Sequence, residues 1–98
     1  MSAYEEFLDS ITTQANPKQN LSSSLMALWW VKKGDWEKAH NIAQDMGNVN
    51  GDWIHAHLHR VEGDLGNAAY WYRRARKPVK QKENLDEEWE ELVKEFLS

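Results

Sequence analysis

The chain has 98 residues, 41% of them hydrophobic, which suits one buried core and is too short for two. It has no apolar run of membrane-spanning length and no cysteine, which excludes disulfides, thiolate zinc sites and cysteine nucleophiles. A net charge of −4 argues against nucleic acid as a partner. The acidic stretch Met1 to Glu6 lacks the basic-then-apolar layout of a signal peptide. We therefore expect a cytoplasmic protein held together by packing, with no membrane partner and no cofactor.

Tyr4, Phe7, Leu8 and Ile11 follow helical spacing and predict a first helix within residues 1–16, ending before Pro17. A second helix is expected from Leu21 to Lys33, with Leu21, Leu25, Leu28 and Trp29 as its stripe and Gly34 as its stop. Asp35 is a natural cap for a third helix carrying Trp36, Ala39, Ala43 and Met46. Gly47 to Gly51 reads as a turn, and Asp52 as the cap of a fourth helix reaching Glu62. Gly63-Asp64 repeats the stop-and-cap device ahead of Leu65, Ala68, Ala69, Tyr72 and Ala75. A basic connector, Arg76 to Glu83, leads to Asn84, which with Glu87 suggests a capping box. The last helix has the stripe Leu85, Trp89, Leu92, Val93, Phe96 and Leu97, with its carboxylates mostly on the opposite, solvated side. No stretch alternates with period two, so no strand is predicted.

Two units align without gaps. Gly34-Asp35-Trp36 matches Gly63-Asp64-Leu65, 29 residues on, and Ala39 matches Ala68. Helical hairpins of this kind cannot bury their apolar faces alone, so they stack. The pattern resembles the tetratricopeptide family, which sets a turn glycine and then an alanine, an aromatic and an alanine at fixed intervals. Gly63, Ala68, Tyr72 and Ala75 fit all four positions; in the first unit only Gly34 and Ala39 fit, while Ala43 and Met46 depart. The offset is also shorter than the family period of about 34. Asn67 to Ala75 looks like the second helix of Sel1-type repeats. The run His55 to Asp64, followed by Asn67-Ala68 and Tyr70-Trp71-Tyr72, is similar to a group of small, uncharacterised tetratricopeptide-like proteins. The resemblance implies an all-α fold, a short solenoid of antiparallel hairpins with six helices. On this reading, residues 21–47 and 52–76 are the hairpins, and residues 84–98 form a capping helix that closes the open end.

Such folds host many roles, so function has to be read from side chains. No nucleophile motif or phosphate loop is present, and no catalytic residue is assigned. The leading expectation is a module that binds a protein or peptide in a groove between stacked helices. Its candidate contacts are Trp53, His57, Arg60, Tyr70, Arg73 and Arg74, which mix aromatic anchors with cations able to grip a carboxylate. Two alternatives stand beside it: a small-molecule or metal-binding protein, and a self-associating one, with a homodimer as its form. The basic run Arg73, Arg74, Arg76, Lys77, Lys80, Lys82 and the acidic last helix are expected to neutralise each other.

His55, His59 and Glu62 are spaced i, i+4, i+7 and share one face of the fourth helix. Two imidazoles one turn apart can chelate zinc, and a carboxylate can join them, with Asp64 as a further ligand. The plainer expectation is a buried polar network in which these side chains meet Asn67, Tyr70 or Tyr72. His57 falls on the apolar stripe with Ile54, Leu58 and Val61 and reads as a core histidine with a satisfied nitrogen.

Overall fold

The computed structural model describes all residues from Met1 to Ser98 and is entirely helical. Six helices run in order: α1 (Ala3–Thr13), α2 (Ser23–Lys33), α3 (Trp36–Met46), α4 (Val49–Val61), α5 (Leu65–Arg74) and α6 (Leu85–Leu97). Each begins on a polar cap: Ser2, Ser22, Asp35, Asn48, Asp64 and Asn84 accept a hydrogen bond from the backbone three residues on. Each such cap satisfies one of the amide donors that a helix start leaves free. The reciprocal capping box occurs at Ser2 and Glu5. At Asn84 the cap accepts from the Glu87 amide, while Glu87 returns no bond to it.

Two helix starts differ from the sequence reading: α2 begins at Ser23 behind its Ser22 cap, not at Leu21, and α4 begins earlier than expected. α4 starts at Val49, not after Asp52, because Asn48 caps it and Gly47 alone turns the chain. Gly51, expected in the turn, lies inside the first turn of α4. A β-carbon there would sit 2.7 Å from the Ala43 carbonyl oxygen and 2.9 Å from the Met46 β-carbon. The glycine is needed because α3 and α4 touch at that point, not because the backbone bends there.

Consecutive helices pack in pairs: α2 with α3, α3 with α4, α4 with α5. α6 then returns across α2 and α4, and α1 covers α2 and α6. The last helix was expected to close the open end of a stack; instead it lies across the faces of α2 and α4. α4 is consequently enclosed by α2, α3, α5 and α6, and every residue from Trp53 to Arg60 is buried. A helix enclosed on all sides cannot be amphipathic, which is why polar residues His55, His57, His59 and Arg60 end up inside.

Eighteen buried apolar residues form one continuous cluster. Trp29 and Trp89 anchor it, and each satisfies its indole N–H: Trp29 donates to Ser10 Oγ at 3.0 Å, Trp89 to the Leu28 carbonyl at 2.8 Å. Trp53 is also buried, while Trp30, Trp36 and Trp71 are half-buried, so no tryptophan projects freely as an anchor. No helix is long and apolar enough to cross a membrane.

Candidate functional site

The polar interior divides into two clusters on different faces of α4. The first centres on Glu88 of α6, whose side chain is inaccessible to solvent. His57 Nδ1 lies 2.6 Å from Glu88 Oε1, Arg60 Nη1 donates to the same oxygen at 2.8 Å, and the Tyr72 hydroxyl donates to Oε2 at 2.5 Å. Arg60 Nη2 also donates to the carbonyls of Glu83 and Gln81. Burial alone would raise the Glu88 pKa. Hydrogen bonds from His57, Tyr72 and Arg60, with their charges, outweigh it and bring the pKa down to about 2. Burial likewise opposes the Arg60 charge, and Glu88 reverses that, raising the guanidinium pKa. One side-chain nitrogen, Arg60 Nε, is buried with no partner. The cluster ties α4, α5 and α6 together, and its chemistry is that of a latch.

The second cluster lies on the α3 and α5 sides of α4. His40 of α3 meets His55 edge to face at 4.5 Å, and His55 stacks on His59 at 4.8 Å. Tryptophans close both sides: Trp36 stacks on His40 at 4.8 Å, and Trp71 stacks on His55 at 3.8 Å. The Trp36 indole donates to the Leu58 carbonyl at 2.8 Å and the Trp71 indole to Asn67 Oδ1 at 3.1 Å, which fixes the two walls. His59 Nδ1 is 2.6 Å from Glu62 Oε1. Burial, then the neighbouring His40 and His59 and the charge of Arg74, push the His55 pKa down to about 4, so His55 is a neutral imidazole at neutral pH.

Of the polar network expected around His55 and His59, the His59–Glu62 link is present; a denser network lies one face over, on His57 and Arg60. Among the four histidines only His57 and His59 make side-chain hydrogen bonds. Asn67, Tyr70 and Tyr72, offered as partners for His55 and His59, bond instead to Trp71, Arg74 and Glu88. His57 is the satisfied core histidine that its stripe implied. Trp53 packs edge to face on Phe96 of α6 with Lys77 over its ring, and Arg60 is 5% exposed. These three of the expected groove contacts are therefore engaged by the chain itself.

Tyr70, Arg73 and Arg74 stay on the surface of α5. The Tyr70 hydroxyl accepts from Arg74 Nη1 at 3.2 Å, and Arg74 Nε is 3.6 Å from Asp52. Within the basic run only Arg74 and Lys80 reach a carboxylate, Lys80 pairing with Glu91 at 2.8 Å. The expected neutralisation by the acidic helix is realised at that single pair. A surface hollow of ≈ 470 Å³ is bordered by Arg60 and residues 81–86, and no residue of the histidine cluster lines it.

Sequence reasoning missed Glu88 and His40. Glu88 did carry a signal: it is three residues after Leu85 and four before Leu92, so it lies on the apolar stripe. His40 carried none, since its meaning depends on which helix packs against α3. The chain matches no known protein family, no curated protein and no solved structure.

Proposed function

We propose that the chain is a tetratricopeptide-like helical-repeat module that binds an acidic segment of a protein or peptide through the exposed side of α5 and the connector after it. The pairing of α2 with α3 and of α4 with α5, each hairpin turning on a Gly-Asp step, supports the repeat reading. The observation that carries the function is the unneutralised basic run. Arg73, Arg76, Lys77 and Lys82 have no carboxylate within ion-pair distance, and Tyr70, earlier on the same helix as Arg73, is 51% exposed. Guanidinium groups next to a half-exposed aromatic suit a carboxylate-rich strand: Arg offers paired donors and Tyr an amphipathic surface. Trp53, His57 and Arg60 are engaged by α6, so the candidate contacts left at the surface are those of α5, which supports placing the binding face there. The cytoplasm is the compartment this reading assumes.

Fluorescence anisotropy tests it, with a labelled Asp/Glu-rich peptide, a Lys-rich control of equal length and a single-stranded oligonucleotide. The acidic peptide binds, weakens with salt, and loses at least about tenfold in affinity when Arg73 and Arg76 become Glu, a change of ~1.4 kcal/mol. Equal binding of all three ligands, or binding unaffected by the charge reversal, overturns the proposal. Self-association is the second reading, favoured by the acidic residues Glu87, Glu91 and Glu95 on α6 of the same chain. Light scattering distinguishes it: a salt-sensitive dimer supports it, a monomer does not.

A further inference from the structure

Three of the chain's four histidines converge between α3 and α4. His40, His55 and His59 each present a ring nitrogen, and these atoms all lie within 4.8 Å of one another. Hydrogen bonding does not account for the gathering, because neither His40 nor His55 makes a side-chain hydrogen bond while His55 is only 4% exposed. Nor are these nitrogens sealed off, since Arg60 Nε is the one buried side-chain nitrogen without a partner; their lone pairs stay within reach of an incoming ion.

The orientation of His59 adds an independent sign. Its Nδ1 is held by Glu62 at 2.6 Å. A carboxylate on one ring nitrogen fixes the tautomer and leaves the lone pair on the other, as is usual for histidines that ligate metals. Trp36 and Trp71 wall the cluster and are fixed by their own hydrogen bonds. His55 and His59 also stand one turn apart on the most enclosed helix of the protein, so the donors ride on a rigid element.

We propose that His40, His55 and His59 form a binding site for a zinc-class divalent metal, with Glu62 orienting His59 and water completing the coordination. Imidazole donors favour zinc, cobalt, nickel or copper over the oxygen-seeking magnesium and calcium. Nitrogens on a tetrahedral zinc ion stand about 3.3 Å apart, given bonds of about 2.0–2.1 Å. The 4.8 Å within which the three nitrogens lie is compatible with closing on one ion. Glu62, read from the sequence as a third ligand, becomes the group behind a ligand, and His40 takes its place. The alternative set His59, Glu62 and Asp64 also gathers within 4.8 Å. There Asp64 already caps α5, accepting from the Asn67 amide at 3.2 Å, and Glu62 is committed to His59. The site is separate from the basic surface of α5, and its test does not depend on that reading.

Tag-free full-length protein, stripped with chelator, is titrated with zinc by calorimetry and with cobalt by visible absorption. The proposal expects saturation at one ion per chain and a tetrahedral cobalt spectrum. Zinc at a hundred times its Kd raises the Tm by on the order of 10 °C, and magnesium has no effect. His40→Ala, at a half-exposed position, keeps its helical spectrum and loses both the Tm rise and the cobalt bands. Glu62→Gln weakens zinc about 10–100-fold. Asp64→Asn, which retains the cap, binds as the parent does. Absence of saturable zinc binding by the parent overturns the site. Undiminished binding by His40→Ala, or loss of binding in Asp64→Asn, overturns this donor set.

Discussion

Replacing Glu88 with alanine strands three groups that point at it: Arg60 Nη1 at 2.8 Å, His57 Nδ1 at 2.6 Å and the Tyr72 hydroxyl at 2.5 Å. The Arg60 side chain is 2% exposed, so water cannot take the place of the carboxylate. Removing one partner of a buried ion pair costs about 3–5 kcal/mol, because the other charge is left uncompensated. A fall of the Glu88 pKa from 4.5 to about 2 corresponds to roughly 3 kcal/mol. Against a total of about 5–15 kcal/mol for a domain of this size, that loss lowers the Tm by on the order of 15 °C. The same shift sets an acid window. A depressed carboxylate contributes its stability above its unfolded pKa and loses it as pH falls from about 4.5 to about 2. Urea melts of parent and Glu88→Gln between pH 2 and pH 7 test both points, with Glu88→Ala measured at pH 7. The parent loses stability through the window, while Glu88→Gln, lower at neutral pH, loses less. An alanine variant within about 1 kcal/mol of the parent, or parallel pH curves, refutes the latch.

Two further outcomes follow from the backbone. Gly51→Ala places a methyl group 2.7 Å from the Ala43 oxygen and 2.9 Å from the Met46 β-carbon; forcing α3 and α4 apart costs about 1–3 kcal/mol in chemical denaturation. Arg76 holds φ 58°, where the chain otherwise uses Gly34, Gly47 and Gly63; Arg76→Gly removes that strain and raises stability by about 0.5–1 kcal/mol, read as a higher urea midpoint with unchanged slope.

The six helices were legible because apolar stripes and Gly-Asp or Asn punctuation agree along most of the chain. The start of α4 was not. Asn48 to Gly51 has the composition of a loop, and only the approach of α3 reveals that Gly51 is there for space. The seat of α6 was also hidden. Its stripe says that one face is buried, but not that this face packs mainly on α2 and α4. For the same reason only part of the histidine cluster was visible in the sequence. His55 and His59 were found from their own helix, and so was Glu62. His40 belongs to another helix and enters only once α3 is laid against α4. Tyr72 was visible as a repeat aromatic, yet its hydroxyl's role needs Glu88, and Glu88 needs the position of α6.

The placement of α6 has a consequence for how the molecule opens. Glu88 holds Arg60, His57 and Tyr72 from two other helices, and Trp89, Leu92 and Val93 of α6 belong to the shared core. Lifting α6 away takes the acceptor from a buried cation and bares part of that core in one step. Fraying of this helix therefore carries most of the cost of opening the hairpin beneath it, and α4, α5 and α6 exchange their amide protons as one cooperative unit.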